Sequence, residues 1–470
     1  MTTSDLCPDP ASEGGVSRRS LLTRSASASL GIVLTGSVPG LFGTAQARHG
    51  RHEAGYGPLV PDPAAILSLP AGFAYTIVAQ AGVTKLESGE PTPSDADGTA
   101  AFIRRGGNGS VLVNNHEIGA IAGASEPYKV PHLPGLVYDE DAGGGTTTIE
   151  VDKDGNRVRE YVSLAGTHNN CAGGRTPWET WLTCEETEAI LGKRHGYVFE
   201  VDPYDRHANL DPKPIKALGR YAHEAVAVDP HDDRIYLTED AGNPNGLLYR
   251  WTPPPEALPL GKGSLRALAD NAGALEAMQA FTKRGEFVPD LAVATKPGTT
   301  YRVRWLPVPD RDATAVPTRK QFAAITRSRK LEGMWWGEGG AYFVASFART
   351  ADGSAAQHDG QVWFIDPDEH TIELKLHFVY TPADQDNDTD GPDNITVSPY
   401  GGVILAEDGE GVQHLVGATQ DGEVFTFARN ELPGESEFTG PTFSRDRKTL
   451  FANIQTPGYV FAIRGPFRKQ

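Results

Sequence analysis

Methionine is nearly absent from this sequence, with 3 in 470 residues, and cysteine is as scarce at 3. No apolar stretch approaches the roughly 18 residues that a membrane-spanning helix requires, so no permanent membrane anchor is expected. Basic side chains are in deficit, 43 against 61 acidic ones, and the formal charge of -18 argues against nucleic acid as a partner. A small phosphate-bearing molecule is not excluded by that charge, because clustered cations reverse the local field. What is plentiful is glycine, at 53, and proline, at 35. With 39% hydrophobic residues, that composition suits a large core of short strands joined by turns better than long helices.

The first residues carry a targeting pattern. Ser17-Arg18-Arg19-Ser20-Leu21-Leu22 precedes a weakly apolar run over residues 26–42 and a small-x-small end, Ala45-Gln46-Ala47. Twin arginines in that setting predict a Tat signal over residues 1–47, cleaved after Ala47, and hence passage through the Tat translocon to a secreted, periplasmic or cell-envelope location. Residues 48–61 are polar and are expected to be loosely ordered, and residues 62–470 are expected to form one domain. Cys171 and Cys184 survive cleavage. A disulfide between them suits an exported protein, whereas the polar, glycine-rich setting of Cys171 suits a metal ligand, with Cys184 a buried free thiol.

Along the rest of the chain one theme recurs. An apolar strand ends in an acidic residue and leads by a loop to another strand that begins with glycine. Its clearest copy is His223-Glu224-Ala225-Val226-Ala227-Val228, then Ile235-Tyr236-Leu237-Thr238-Glu239-Asp240, then Leu247-Leu248-Tyr249-Arg250-Trp251. Related stretches lie at 178–203, 332–367, 393–427 and 440–463. Such units read as blades of a β-propeller. The alanine-rich stretch 267–281 reads as a helical excursion. The acidic loop 384–390 reads as a solvated or calcium-binding excursion.

Equivalent positions of successive blades meet around one axis, so acids distant in sequence are expected at one mouth. Two registers contain them: Glu224, Glu332 and Asp393 open strands, and Glu186, Glu239 and Glu407 close the following ones. Carboxylates gathered in one cavity cannot all remain ionised without cations. Oxygen donors favour calcium or magnesium, and a thiolate at Cys171 brings in a softer metal such as iron.

The segment Asn169-Asn170-Cys171-Ala172-Gly173-Gly174, followed by Thr176-Pro177-Trp178, Thr180-Trp181-Leu182 and Thr183-Cys184-Glu185-Glu186, closely resembles the signature of PhoX alkaline phosphatases. Asn115-His116-Glu117, His223-Glu224-Ala225, Leu237-Thr238-Glu239-Asp240, Leu331-Glu332-Gly333, Pro392-Asp393-Asn394 and Ala406-Glu407-Asp408 extend the resemblance over nearly all of the chain beyond the leader. It implies an all-β, six-bladed propeller with loop and short helical insertions. It also implies hydrolysis of phosphate monoesters at a cluster of iron and calcium. Cys171 would then be an iron ligand, and Glu186, Glu224, Glu239, Glu332 and Glu407 iron or calcium ligands, with Asn115, Glu117, Asp240, Asp393 and Asp408 as weaker candidates. Glu332 and Lys330 would serve catalysis. The resemblance places an arginine for phosphate where this chain has Lys330, which holds one oxygen as a point charge but cannot grip two at once; Arg327 and Arg329 are the candidates to compensate.

The expected protein is therefore a monomeric exported phosphatase acting on small phosphate esters. The runners-up are a calcium-dependent, lactonase-like hydrolase of the same architecture and a propeller that binds metals without catalysis.

Overall fold

Strands of four to eight residues, most alternating buried and exposed or wholly buried, account for nearly all regular structure in a computed structural model of the chain. It describes residues 54–346, 359–379 and 389–470; the leader and residues 384–388 of the acidic loop lie outside the described residues. Helix is confined to three-residue 3-10 turns such as Lys216–Leu218 and Thr318–Lys320. Among the described residues no helix is long and apolar enough to cross a membrane.

The strands fold as antiparallel meanders. Ala96–Ile103, Ser110–His116, Gly144–Val151 and Arg157–Thr167 form one, and Asn170–Arg175, Trp181–Glu185 and Val198–Val201 the next. The strands that open the meanders are Ala96–Ile103, Asn170–Arg175, His223–Val228, Leu331–Trp336, Pro392–Val397 and Phe438–Phe443. They touch one another in that order, and the last touches the first. The ring is closed through the sheet that ends the chain. There Ala74–Gln80 pairs with Tyr459–Arg464, so an early strand completes a sheet made of the last three. The result is all-β and propeller-like.

Its sheets do not divide into six separate blades. Five sheets are formed among the described residues, because Thr300–Pro307 pairs with Ala274–Phe281 on one side and Thr371–Phe378 on the other, joining two meanders into a ten-stranded sheet. The same pairing corrects the helical reading of residues 267–281. Ala274–Phe281 is a strand with Leu275, Ala277, Met278 and Ala280 buried. Alanine's helix preference, a few tenths of a kcal/mol per residue, yields to strand partners on both edges. Residues 54–61 are likewise built in: Leu59–Val60 pairs with Leu67–Pro70, and Tyr56 packs edge-on to Phe73, Phe425 and Phe427.

Apolar clusters fill the spaces between neighbouring meanders. Trp181 packs with Phe102 and Phe199, Trp251 with Leu237 and Leu275, and Trp363 with Phe343 and Leu374, all fully buried or nearly so. These wedges hold the inner strands at fixed spacing. Gly98 and Gly333 mark how close the spacing is: a Cβ on Gly98 would lie 2.6 Å from the Cα of Ala172, and one on Gly333 2.7 Å from the carbonyl oxygen of Asp393.

Candidate functional site

One hydrogen-bond pattern recurs around the ring and sets the site. The residue just past the second strand of a meander donates its backbone N–H to the carbonyl of the residue just before the first. The pairs are Glu117 to Asp95, Glu186 to Asn169, Asp240 to Ala222, Ser346 to Lys330, Asp408 to Gly391 and Gln455 to Glu437, at 2.8–3.2 Å. Two residues beyond each of those acceptors the inner strand carries Asp97, Cys171, Glu224, Glu332, Asp393 and Thr439. The first five lie in a β-bulge, where the ladder slips between flanking pairs. A bulge re-aims a side chain that would otherwise follow the strand's alternation. All six inner residues are buried.

Four of these, with three residues flanking the strands, bring their ligand atoms into three overlapping groups, each with all members within 4.8 Å: Cys171, Glu186 and Glu224; Glu224, Glu332 and Asp393; Asp393, Asp408 and Glu437. Because Glu224 and Asp393 each belong to two groups, the three form one continuous arc. Six predicted residues are thus brought together, and Glu437, which was not predicted, joins them. Lys330 enters the same arc, its Nζ 2.6 Å from Glu332 and 3.2 Å from Asp408. Its φ of 47° places it in the left-handed region, as are Asp95 and Asn169 at the matching positions of other meanders.

Glu239 and Glu407 are not among the converging atoms. With Glu185 they are the last residues of their second strands, one position earlier than Glu186, Asp240 and Asp408, and the pleat turns them away from the arc. Glu407 accepts from the backbone N–H groups of Asp390 and His414 and from Nδ1 of His414, each at 2.8 Å. Glu239 accepts from Tyr249 Oη at 2.8 Å and Arg319 Nη1 at 2.9 Å. Burial nevertheless pushes its pKa up to about 7 against the pull of Arg319 and Tyr249. Glu185 accepts from His195 Nδ1 at 2.7 Å and from the N–H groups of His168, Gly196 and Tyr197. These three carboxylates anchor strand ends.

Asn115 is a clamp. Its amide donates to the carbonyls of Cys171 and Ala172 at 2.9 and 2.8 Å, and its oxygen accepts from Trp181 and Thr183, so both its donors and its acceptor are in use. It fixes the backbone that carries the thiol. Glu117 lies in a neighbouring acidic set, where Gln455 Nε2 bridges it at 2.8 Å to Asp97 at 3.1 Å. Asp240 holds the equivalent rim position but falls outside the three groups. Arg327 donates to the carbonyls of Asn245 and Arg319, which directs its guanidinium to backbone. Burial lowers the pKa of His116 to about 4 and that of His223 to about 3, so both rings are neutral spacers, bonded to Ser94 and Gly219 respectively.

The donor set fits metal ions. Six carboxyl groups in one chain of overlapping groups concentrate more acid than the single ammonium of Lys330 balances. Cys171 and Cys184 are both free thiols. Burial first, then Glu224 and Glu186, push the Cys171 thiol well above its usual pKa. Only a cation beside the sulfur makes its thiolate favourable there.

The family model described as alkaline phosphatase PhoX matches residues 54–458. The chain belongs to that family. PhoX membership makes it a phosphatase, as its signature segment implied, and the segment's residues supply the thiol of Cys171, the carboxylate of Glu186 and the strand-end anchor Glu185 described above. No curated protein sequence matches it. Among solved structures, Pseudomonas fluorescens PhoX in complex with vanadate, a transition state analogue, is similar in fold, with 19% identity and a TM-score of 0.63 over 85% of this chain and 96% of that one. A gluconolactonase from Xanthomonas campestris aligns over 88% of this chain and 99% of its own, with 14% identity and a TM-score of only 0.41, too loose a likeness to bear on activity.

Asp97 and Glu437 escaped sequence reasoning. Asp97 had a usable signal, since an inner acid or thiol followed by a small residue recurs as Asp97-Gly98, Cys171-Ala172, Glu224-Ala225 and Glu332-Gly333. Glu437 had none, because its position, just before an inner strand, holds a different residue type in every meander.

Proposed function

We propose that this PhoX phosphatase hydrolyses phosphate monoesters at a cluster of iron and calcium held at one mouth of a six-bladed propeller, and that it is exported through the Tat route. The observation that carries the reading is the continuous arc of six carboxyl groups and one thiol, in which Glu224 and Asp393 are shared between neighbouring groups. The mixed group of Cys171, Glu186 and Glu224 suits iron, and the groups made of carboxylates alone suit calcium. When bound, such cations neutralise charge on the phosphoryl oxygens and activate an oxygen nucleophile.

The chain's own residues do the remainder. Asn115 fixes the thiol's backbone, and the strand-end anchors Glu185 and Glu407 hold the rim from which Glu186 and Asp408 project. Lys330, paired with Glu332 and Asp408, offers a phosphate oxygen one ammonium donor. The cyclic contact of six opening strands supports the blade count, with the ten-stranded sheet read as two blades stitched together by Thr300–Pro307.

Elemental analysis of exported protein, paired with hydrolysis of p-nitrophenyl phosphate before and after chelation, tests the proposal. We expect iron and calcium in the active protein, loss of activity on chelation, and loss of iron with activity in Cys171→Ser. Full activity in metal-stripped protein would end the reading.

A further inference from the structure

The inner strands run from the metal-binding arc towards the other end of the ring, and their far ends also meet. Arg175, Val228 and Trp336 each lie four residues beyond an arc residue, Cys171, Glu224 and Glu332, which places them roughly 13 Å away at the strand rise per residue. There they line a cavity of about 200 Å³ together with Trp335, Glu179 and Arg445. A cavity of roughly 150 Å³ holds a benzene ring, so this one has room for a single ring with a small substituent.

Two features give the cavity its chemistry. Trp335 and Trp336 are half-buried and both border it, with their indoles on opposite faces of the strand. Arg175 is partly buried, and no hydrogen bond or ion pair engages its guanidinium among the described residues; burial, then the like charge of Arg445, pulls its pKa down to about 10. Glu179, the one carboxylate in the lining, pairs at 3.2 Å with Arg445. The half-buried guanidinium of Arg175 therefore has donors to spare in the cavity, and a carboxylate is the group that matches that planar fork.

We infer that this far mouth is a second binding site, for a single-ring aromatic carboxylate whose carboxylate meets Arg175 and whose ring lies against Trp336. The site shares no residue with the metal-binding arc, so its occupant does not compete with phosphate.

Titration calorimetry of the metal-loaded, exported protein with benzoate tests this. Benzoate binds, benzyl alcohol and cyclohexanecarboxylate bind at least tenfold more weakly, and saturating inorganic phosphate does not displace it. Arg175→Met weakens benzoate at least tenfold while hydrolysis of p-nitrophenyl phosphate continues, which shows the variant is folded. Should Arg175→Met fail to fold, Trp336→Leu takes its place with the same expectation. No benzoate binding, binding abolished by inorganic phosphate, or binding equal in wild type and variant overturns the inference.

Discussion

Replacing Glu224 with glutamine should stabilise the metal-free protein and destabilise the metal-loaded one. The exchange keeps volume and removes one charge from a fully buried position whose carboxylate lies within 4.8 Å of Glu186 in one group and of Glu332 and Asp393 in another. Two unit charges 4.8 Å apart repel by roughly 3.5 kcal/mol at an effective dielectric constant of about 20. Buried carboxylates take up protons before they bear that repulsion from every neighbour at once, so the relief is on the order of one such pair, about 3 kcal/mol. At the entropy of unfolding expected for a chain of this length, roughly 1 °C of Tm corresponds to each kcal/mol, giving a rise of about 3 °C in chelator. With metals bound the sign reverses, because glutamine withdraws a ligand that two groups share and cation binding then adds less to folding. Thermal denaturation of both proteins, with and without chelator, reads both signs. A shift of the same sign in the two conditions would refute the claim that repulsion between these acids is relieved by cations.

Glu407→Gln should behave differently, lowering Tm by an amount equivalent to about 1–3 kcal/mol through lost N–H acceptors while leaving metal content unchanged; depleted metal would mean that Glu407 is a ligand after all. His195 lies between Glu185 and Asp139 at 2.7 and 3.1 Å, and although burial opposes its charge the two carboxylates raise its pKa above 6.5. A raised histidine contributes its full stability below about pH 6.5 and loses it as pH climbs through the folded-state value. The Tm advantage of wild type over His195→Gln should therefore shrink from about pH 5 to about pH 9, and a constant gap would contradict the charged pairing. Lys330→Arg should lower KM for p-nitrophenyl phosphate several-fold, because a guanidinium can hold two phosphate oxygens; an unchanged KM would remove Lys330 from substrate binding.

Short-range pattern made much of this molecule legible. Alternating apolar runs bounded by glycine and proline specify strands, and the long segment around Cys171 carries the family. The sequence also named six of the seven donors in the arc. It could not decide between neighbours. Cys184-Glu185-Glu186 offers two adjacent acids, and whether the strand ends at the first or the second determines which faces the centre, since one residue of register exchanges the faces of a strand. Grouping Glu239 and Glu407 with Glu186, and not with Glu185, follows from that ambiguity.

Chemistry and repeat are properties of the chain read locally: which residues are acidic or thiol-bearing, and that they recur in strand-sized units. Convergence is a property of the closed ring, where a bulge in each inner strand, a wedge of buried tryptophan between meanders and the pairing of Ala74–Gln80 with the final strand fix distances between residues hundreds of positions apart. Glu437 shows the difference most plainly. Nothing beside it in sequence marks it as a ligand, yet ring closure brings it within 4.8 Å of Asp393 and Asp408, because packing, and not sequence neighbourhood, determines which side chains share a cavity.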